Sequence, residues 1–458
     1  MKTFIRFLRE WSLLVALGLL YPTAIYSQSA LNNYLKEGLQ NNIVLQQKNI
    51  VLEKALYFLK EANAMFLPSV NINSSYITDY GGRYINFPIG TLLNPVYQTL
   101  NGMTGKANFP EVSNQQIFFN PHNYYDAHAR TSMPIVNTDL IYNRKIQKDQ
   151  IHLQEYEVDI YKRELIKNIK QAYYNYLMSL SSIKVFENSL NLVTKNVQVN
   201  ESLEANGKGL PSAVLRSQSE LEKIKAELIN SKAQTNNAQQ YFNFLLNKPL
   251  ESPIETDFDK DAALGEINNY LDKTSVQNRE ELKITKTGVH LTGTQIKMAQ
   301  TFWTPKVNAF LDLGSQGINW EYSNKSRYYM FGTQLDIPVF AGFRNYYRIS
   351  RTKLDLKSAE LNDKQVALQI QLNADIAQNA LTSSYQSYQA AIKEQKSAQG
   401  YFHFIESGYK QGTNTLIEYI DAQNQLTVSS LRLTIVTYKV LQAMAGIERE
   451  TATYFFNN

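Results

Sequence analysis

The sequence of 458 residues contains no cysteine. It can therefore form no disulfide bond, no thiolate metal site and no lipid linkage to an N-terminal cysteine, which excludes a lipoprotein. The five histidines are scattered, and the chain has no His-x-x-x-His pair, phosphate-binding loop or Gly-x-Ser-x-Gly elbow. We expect no catalytic residue, no cofactor and no metal, and thus a protein that is not an enzyme.

Long apolar stretches are also missing, and the one near the N-terminus is short. Two arginines and a lysine precede an apolar stretch at 11–20, and Ala24 and Ser27 follow it. This order is typical of a cleaved secretory signal peptide, placed at 1–27 with a mature start near Gln28. A membrane anchor is the alternative, but a spanning helix needs about 20 apolar residues.

No basic block occurs, because the formal net charge of +5 is spread along the chain. This distribution argues against a nucleic-acid partner. Aromatic residues are abundant instead, with 30 Tyr and 21 Phe. Tyrosine suits surfaces that are half wet and half apolar, including membrane interfaces.

Proline and glycine are absent from residues 139–204, a stretch with an apolar heptad pattern. The apolar positions are Leu165, Ile169, Ala172, Tyr176, Ile183, Phe186, Leu190, Val193 and Val197. The pattern predicts one helix of about 66 residues, near 100 Å long at about 1.5 Å per residue. A helix of that length belongs to a coiled coil or to the wall of a tube.

The sequence contains two similar copies of one unit. The segment beginning at Pro68 corresponds to the one beginning at Pro305, and Gly209 before a helical stretch corresponds to Gly412. Such a duplication indicates one pseudo-symmetric architecture. Each copy is predicted to contain a helix, two strands, a long helix, a tight turn and a final helix.

We place the first repeat at 28–250, a linker at 251–270 and the second repeat at 271–458. The predicted elements are a helix at about 30–65, a loop at 79–125 between two strands, a long helix at 139–204, a tip turn at 206–211, a helix at 212–247, a helix at 276–301, strands at 305–313 and 328–338, a long helix at 341–407, a tip turn at 408–413 and a helix at 414–446.

The predicted strands alternate between apolar and polar residues. In the strand at about 126–135, Asp126, His128 and Arg130 share one face, as alternation along a strand requires. Four strands per chain cannot close a barrel, and open strand edges do not occur in lipid. Three chains would supply 12 strands, with these three residues facing the lumen. A strand of a soluble sandwich would show the same alternation.

Aromatic residues flank the predicted strands. They suit the interfacial girdles of a membrane barrel, with packing in a core as the alternative. These residues are Tyr76, Tyr80, Tyr84, Trp303, Trp320, Tyr322, Tyr328 and Tyr329.

The order of these elements resembles the TolC-like outer-membrane efflux protein family over essentially the whole mature chain. The resemblance rests on the Pro-x-Val strand starts at Pro68 and Pro305, the strand-to-helix corner at 337–344 and the turn at 408–416, with a looser match at 207–212. It implies a mixed α and β membrane protein. In that fold, a homotrimeric 12-stranded antiparallel β-barrel with four strands per chain is continued by a long periplasmic α-helical coiled-coil barrel.

The resemblance also implies that the two helix–helix turns, called the tips below, dock onto a periplasmic adaptor (membrane fusion) protein. That adaptor would serve an inner-membrane pump or exporter. The alternative is that the tip residues only form turns. The implied docking residues are Gly207, Gly209, Leu210, Pro211, Gly408, Tyr409, Gly412 and Leu416.

Acidic residues near the tips are candidates for a selectivity ring, because three-fold symmetry turns one carboxylate into three around a pore. A solvated face of a coiled coil is the alternative. The candidates are Glu406, Glu204, Glu418 and Asp421, with Glu406 the strongest.

Three functions remain open on the sequence alone. The leading one is a passive exit through the outer membrane for small-molecule substrates of a tripartite efflux pump. The second is the outer-membrane component of a type I protein secretion system, which has the same fold. The third is a structural coiled-coil protein without a pore, which does not explain the alternating strands. The expected partners are two further copies of the chain, an adaptor, an inner-membrane pump or exporter, and outer-membrane lipid.

Overall fold

In a computed structural model, the structure describes residues 30–119, 122–271 and 275–454. The predicted signal peptide at 1–27 lies outside these residues. Ten helices and six strands are assigned in the described residues. In chain order they are α1 (Ala30–Asn41), α2 (Ile43–Ala64), β1 (Ser69–Ile77), β2 (Tyr84–Phe87), α3 (Ile89–Thr104), β3 (Gln115–Phe118), β4 (Tyr124–Val136), α4 (Thr138–Ala205), α5 (Pro211–Leu245), α6 (Lys260–Gly265), α7 (Asn268–Leu271), α8 (Glu280–Gln300), β5 (Lys306–Ile318), β6 (Arg327–Asp336), α9 (Arg344–Gln411) and α10 (Leu416–Glu450).

The chain divides into two compact units. The helical unit comprises the chain up to Val51, Glu155–Ile284 and the chain from Asp363 onward. The sheet unit comprises Leu52–Gln154 and Thr285–Asn362. No helix in the described part of the chain combines the length and apolar character that crossing a membrane requires.

The sheet unit is built around four antiparallel strands in the order β1-β4-β5-β6. The central strands β4 and β5 come from different repeats and pair along most of their length, with Arg130 opposite Asp312. Strands β1 and β6 lie at the two edges, so each has one side without a partner strand. The four strands therefore form one sheet, with the predicted polar residues on one face and the predicted apolar residues on the other.

The helical unit buries a core in which aromatic side chains are prominent. Tyr173 of α4 and Phe242 of α5 are fully buried with ring centroids 5.6 Å apart, and Tyr34 of α1 packs against both. Burial is the main reason why the pKa of Tyr173 is raised well above its ordinary value. Gly38 allows α1 to approach α4 closely, because a Cβ atom there would lie 2.3 Å from Cδ1 of Ile169.

A buried ionic cluster connects α4, α8 and α10 within the helical unit. Arg279, whose side chain is 2% exposed, donates to Glu281 at 2.6 Å and to Glu450 at 2.5 Å. Arg449 contacts Glu281 and Glu164, each at 3.1 Å. The cluster thus links three helices that are far apart in sequence, and the sequence analysis did not anticipate it.

The two long helices α4 and α9 each contain 68 residues. The sequence-based interpretation is corrected at the N-terminal helix, which is divided into α1 and α2 at Asn42. The Asn42 side chain accepts a hydrogen bond from the Leu45 backbone N–H at 3.0 Å and donates to the Leu245 carbonyl at 3.1 Å. Asn42 therefore caps the N-terminus of α2 and attaches the junction between α1 and α2 to the end of α5.

The sequence predicts a loop at 79–125, but the described part of this segment contains β2, α3 and β3. Strands β2 and β3 form a separate two-stranded sheet. The loop after β5 is correspondingly shorter than expected, because β5 continues through Gly314 to Ile318. The sequence pattern predicts a strand end before Gly314, because glycine weakens a strand interior and often marks a bulge or bend.

Candidate channel-lining sheet face and helix tips

The three residues predicted to face a lumen lie together on one face of β4. The Asp126 carboxylate accepts a hydrogen bond from the Tyr328 hydroxyl at 2.9 Å and lies 3.1 Å from Nδ1 of His128. Tyr328 had been assigned to an interfacial girdle, but its hydroxyl bonds to this polar face. Asp126 of the first repeat is thus bonded to Tyr328 of the second.

Arg130 lies on the same face and forms a separate pair with a residue that the sequence pattern did not single out. Its guanidinium donates two hydrogen bonds of 2.7 Å to Asp312 of β5, in a bidentate geometry. The Asp312 side chain is 2% exposed, whereas that of Arg130 is 45% exposed. The alternation of β5 put Asp312 on the polar face, but only the register reveals that it meets Arg130.

The opposite face of the sheet is apolar and open. Ile72 of β1 and Tyr329, Phe331 and Leu335 of β6 are all more than half exposed. An apolar surface of this extent is unusual on a water-soluble monomer and marks contact with lipid or with another protein. A sheet with one polar and one exposed apolar face can separate a wet compartment from an apolar one.

An aromatic cluster lies at the end of the sheet where β1 ends and β4 begins. The Trp320 ring is stacked between Tyr76 at 5.2 Å and Tyr125 at 5.3 Å, and Tyr322 contacts Tyr125 at 4.9 Å. Trp303 precedes β5 near the other end and is exposed. Aromatic groups at both ends of an apolar strand surface are typical of membrane barrels.

The first tip joins α4 to α5. Gly207 has a φ of 67°, which favours glycine, whereas Gly209 does not have a positive φ. Gly209 is required for a different reason, because a Cβ atom there would lie 2.8 Å from the Glu204 backbone nitrogen. Leu210 is the extended N-cap residue of α5 and is exposed, and Pro211 occupies the first turn.

The second tip joins α9 to α10. Gly412 has a φ of 78°, but Gly408 lies in the last turn of α9 rather than in the turn itself. A Cβ atom at Gly408 would lie 1.8 Å from Oδ1 of Asn414, so close approach explains this glycine. Leu416 begins α10 directly after its N-cap residue, Thr415.

The N-terminus of α10 is stabilised by a capping box. The Thr415 hydroxyl accepts from the Glu418 N–H, and the Glu418 carboxylate accepts from the Thr415 N–H at 2.7 Å. These hydrogen bonds, with further ones from the Thr415 hydroxyl and Asn414, lower the pKa of Glu418. The carboxylate of this candidate ring residue is thus engaged in its own helix.

A hydrogen bond from Tyr409 links the second tip to α4 of the first, and an aromatic stack holds the second tip together. The Tyr409 hydroxyl donates to Oδ1 of Asn200 on α4 at 2.9 Å, and its ring stacks on Tyr419 at 4.9 Å. Burial raises the pKa of Tyr409, although the bond to Asn200 opposes this, and raises that of Tyr419 to about 12. Both tyrosines are therefore neutral at neutral pH.

An open groove of about 980 Å³ lies between the tips. Glu406, the strongest ring candidate, lines it and pairs with Lys410 at 2.9 Å. Lys195 and Lys208 also line the groove, so its rim is more basic than acidic. The other ring candidates are not gathered in this groove.

Glu204 and Asp421 are exposed and do not line the groove. Among the described residues, no group of three or more acidic or histidine side chains is arranged to hold a metal ion.

The sequence and the fold were compared with known proteins. Residues 273–452 match the model of a family described as outer membrane efflux protein. A Haemophilus influenzae protein, described as uncharacterized, is 20% identical over 304 residues, which is 64% of this chain. The chain spans about 64% of the length of that relative.

Solved structures of other outer membrane proteins share the fold. The CmeC outer membrane channel of Campylobacter jejuni superposes with a TM-score of 0.71 at 15% identity, covering 92% of this chain and 85% of CmeC. The outer membrane protein VceC of Vibrio cholerae superposes with a TM-score of 0.71 at 14% identity, covering 93% of this chain and 96% of VceC. At these identities, the similarity establishes the fold alone.

Proposed function

We propose that this chain belongs to the TolC-like outer membrane efflux protein family and forms a homotrimeric channel through which small molecules leave the cell. The family assignment rests on the match over residues 273–452 and on a fold shared over about nine-tenths of the chain. In this proposal the sheet units form a barrel in the outer membrane, and the long helices form a periplasmic conduit.

The two-faced sheet with unpaired edges is the observation that carries this proposal. Strands β1 and β6 each expose one row of backbone hydrogen-bonding groups. In lipid such edges must be paired, because nothing else can satisfy these groups. Pairing β1 of one copy with β6 of the next closes three sheets into 12 strands. The apolar face then meets lipid, and the polar face with the Arg130–Asp312 pair lines the lumen.

The helices provide independent support for association of several copies. Four residues of α9 recur every seven positions, and each is more than half exposed: Tyr347, Leu354, Leu361 and Leu368. Ile43, Ile50 and Tyr57 of α2 repeat the same spacing and are equally exposed. Exposed apolar heptads are the pattern by which helices of different chains pack together. Neighbouring copies in a trimer would cover them.

The groove between the tips is the proposed docking site for a periplasmic adaptor. It is lined by Leu203, by the stacked rings of Tyr409 and Tyr419 and by the charged pair of Glu406 with Lys410. Leu210 is exposed at the first tip but does not line the groove. An adaptor would connect the channel to an inner-membrane pump, which selects the cargo. The acidic ring around Glu406 remains a prediction.

A substitution at the second tip tests the docking site. Gly412→Val forces a β-branched residue into a left-handed backbone conformation, so the turn should distort locally. We expect export by cells to fall, while the purified protein remains trimeric and conducts in a planar bilayer. Gly400→Val within α9 is the control, because a Cβ atom there meets open space. Export equal to that of the native chain would contradict the docking assignment.

Planar-bilayer recording and cross-linking test the channel itself. The purified protein is expected to give discrete conductance steps. The lack of native cysteines permits Ile72→Cys on β1 to be combined with a cysteine at Tyr329, Phe331, Thr333 or Leu335 on β6. One of these pairs should oxidise to a ladder of dimers and trimers, since disulfides need Cα atoms within about 7 Å.

Ile72→Cys with a cysteine at Leu313 is the control, because Leu313 lies on the central strand β5 and should give no ladder. Protein that neither conducts nor forms a ladder with any β6 position would refute the proposed function. Recordings on Glu406→Gln examine the acidic ring separately through cation selectivity.

A further inference from the structure

The segment between β1 and β4 carries an apolar helix face that the proposed channel does not use. Helix α3 contains 16 residues and no charged side chain. Leu92, Val96 and Met103 lie on one side of it, at spacings of four and seven, and are 65%, 52% and 81% exposed. These three residues are called the α3 stripe below.

The other side of α3 is held by its own chain. Asn94 exchanges two hydrogen bonds with the Val112 backbone, at 2.8 and 3.0 Å. Asn101 does the same with the Phe109 backbone, also at 2.8 and 3.0 Å. Two asparagines seven residues apart thus attach an extended strap to one face of the helix. This fixes the orientation of α3 in the segment and leaves the α3 stripe turned away from the strap.

The segment is attached at the edge of the sheet. It begins after Ile77 of β1, and β1 is an edge strand. The link from Ile77 to Tyr84 reaches at most about 20–25 Å, since an extended chain spans about 3.3–3.6 Å per residue. The segment must therefore stay near the end of β1, which in the proposed channel adjoins the neighbouring copy.

The size of α3 matches the opening that three copies would share. A barrel of 12 strands about 4.8 Å apart, tilted by about 40°, is about 24 Å across. Helix α3 is also about 24 Å long at about 1.5 Å per residue. Three such helices tethered around that rim are therefore long enough to reach one another across it.

We propose that the α3 stripes of three copies pack together and form an apolar cap over the outward opening of the channel. The inference rests on the proposed trimer. A second copy of the chain is favoured over an anionic lipid headgroup, because α3 carries no lysine or arginine to bind phosphate. Three-fold symmetry brings identical uncharged stripes together, and their contact removes apolar surface from water.

Single cysteines in the full chain, oxidised in native membranes, test this cap. Val96→Cys is expected to give covalent dimers across the three-fold axis. Gln98→Cys is the matched control, since Gln98 lies two residues away and bonds to Glu111 at 2.8 Å on the strap side. The yield from Val96→Cys should be several-fold higher than from Gln98→Cys.

A charged residue introduced into the α3 stripe allows a second test, by single-channel conductance. Val96→Asp places three carboxylates together in the cap, and their repulsion should open it. The single-channel conductance should rise several-fold, while the β1–β6 cysteine ladder still forms. That ladder shows that the variant is folded and trimeric.

The remaining outcomes distinguish failure of the cap from failure of the proposed channel. A β1–β6 ladder with equal yields from Val96→Cys and Gln98→Cys, or with none from either, would overturn the cap and leave the proposed channel standing. Adducts whose mass is not a multiple of this chain would assign the stripe to another envelope protein instead. Loss of the β1–β6 ladder in the native background would remove both the channel and its cap.

Discussion

Replacing Arg279 by alanine is expected to lower the free energy of unfolding of the helical unit by about 3–5 kcal/mol, the usual cost of removing one partner from a buried ion pair. The Arg279 side chain is 2% exposed and contacts Glu281 and Glu450. Its removal leaves two carboxylates in a confined site, with Arg449 as their remaining cation. Urea denaturation followed by circular dichroism at a helix wavelength would measure the loss.

Arg432→Ala provides the matched control in the same unit. Arg432 pairs with Glu394 at 3.2 Å, but the two side chains are 55% and 41% exposed. An exposed pair of this kind is worth at most about 1 kcal/mol, because water already solvates both charges. If Arg279→Ala costs no more than Arg432→Ala, the cluster is not a significant source of stability.

The cost of Arg279→Ala should also depend on pH. Burial acts to raise the pKa of Glu281, but the hydrogen bonds and charge of Arg279 outweigh it, so the pKa is lowered. A carboxylate with a lowered pKa stabilises the fold fully above its unfolded value, about 4.3, and loses this contribution as the pH falls through the folded value.

Without Arg279, Glu281 and Glu450 share Arg449 as a partner, and protonation of one carboxylate relieves the excess negative charge. The stability difference between the native chain and the variant should therefore narrow as the pH falls below about 4.3. A difference that stays constant across this range would show that the effect comes from lost packing rather than lost charge.

The sequence predicts those parts of this molecule that repeat locally. The heptads of α4 and the alternation around Asp126, His128 and Arg130 depend on neighbours a few residues apart, so the long helix and the polar strand face could be derived. Asp312 could not be selected, because its partnership with Arg130 depends on the register of two strands 182 residues apart in sequence. The Arg279 cluster was missed for the same reason.

Helix α3 shows a second limit of local patterns. Glycines, asparagines and Pro95 indicate a loop by their local preferences. Asn94 and Asn101 instead bond to a strap that follows the helix, and this stabilises a helix that the local sequence disfavours. The tip glycine Gly408 was similarly misplaced, since its role depends on the position of Asn414.

Replacing Gly314 by alanine is expected to abolish channel formation. A Cβ atom at Gly314 would lie 2.5 Å from Cβ of His128 and 2.6 Å from the Ala127 carbonyl oxygen. His128 is the register partner of Gly314, and both contacts are with atoms fixed to the β4 backbone. The added methyl group can be accommodated only if β4 and β5 move apart, and such overpacking costs about 1–3 kcal/mol or more. Recovery of trimers from outer membranes and bilayer conductance would measure the effect.

Substitutions at two further glycines serve as comparisons for Gly314→Ala. A Cβ atom at Gly332 would lie 2.7 Å from the Phe310 ring. Because the Phe310 side chain can rotate away, whereas the β4 backbone next to Gly314 cannot, Gly332→Ala should be less damaging than Gly314→Ala. Gly288 in α8 faces open space, and Gly288→Ala should stabilise the helix by about 0.5–1 kcal/mol. The expected order of damage follows from what each methyl group would meet. Normal trimers and conductance for Gly314→Ala would show that β4 and β5 are not held together at this point, and would argue against the sheet as the wall of the channel.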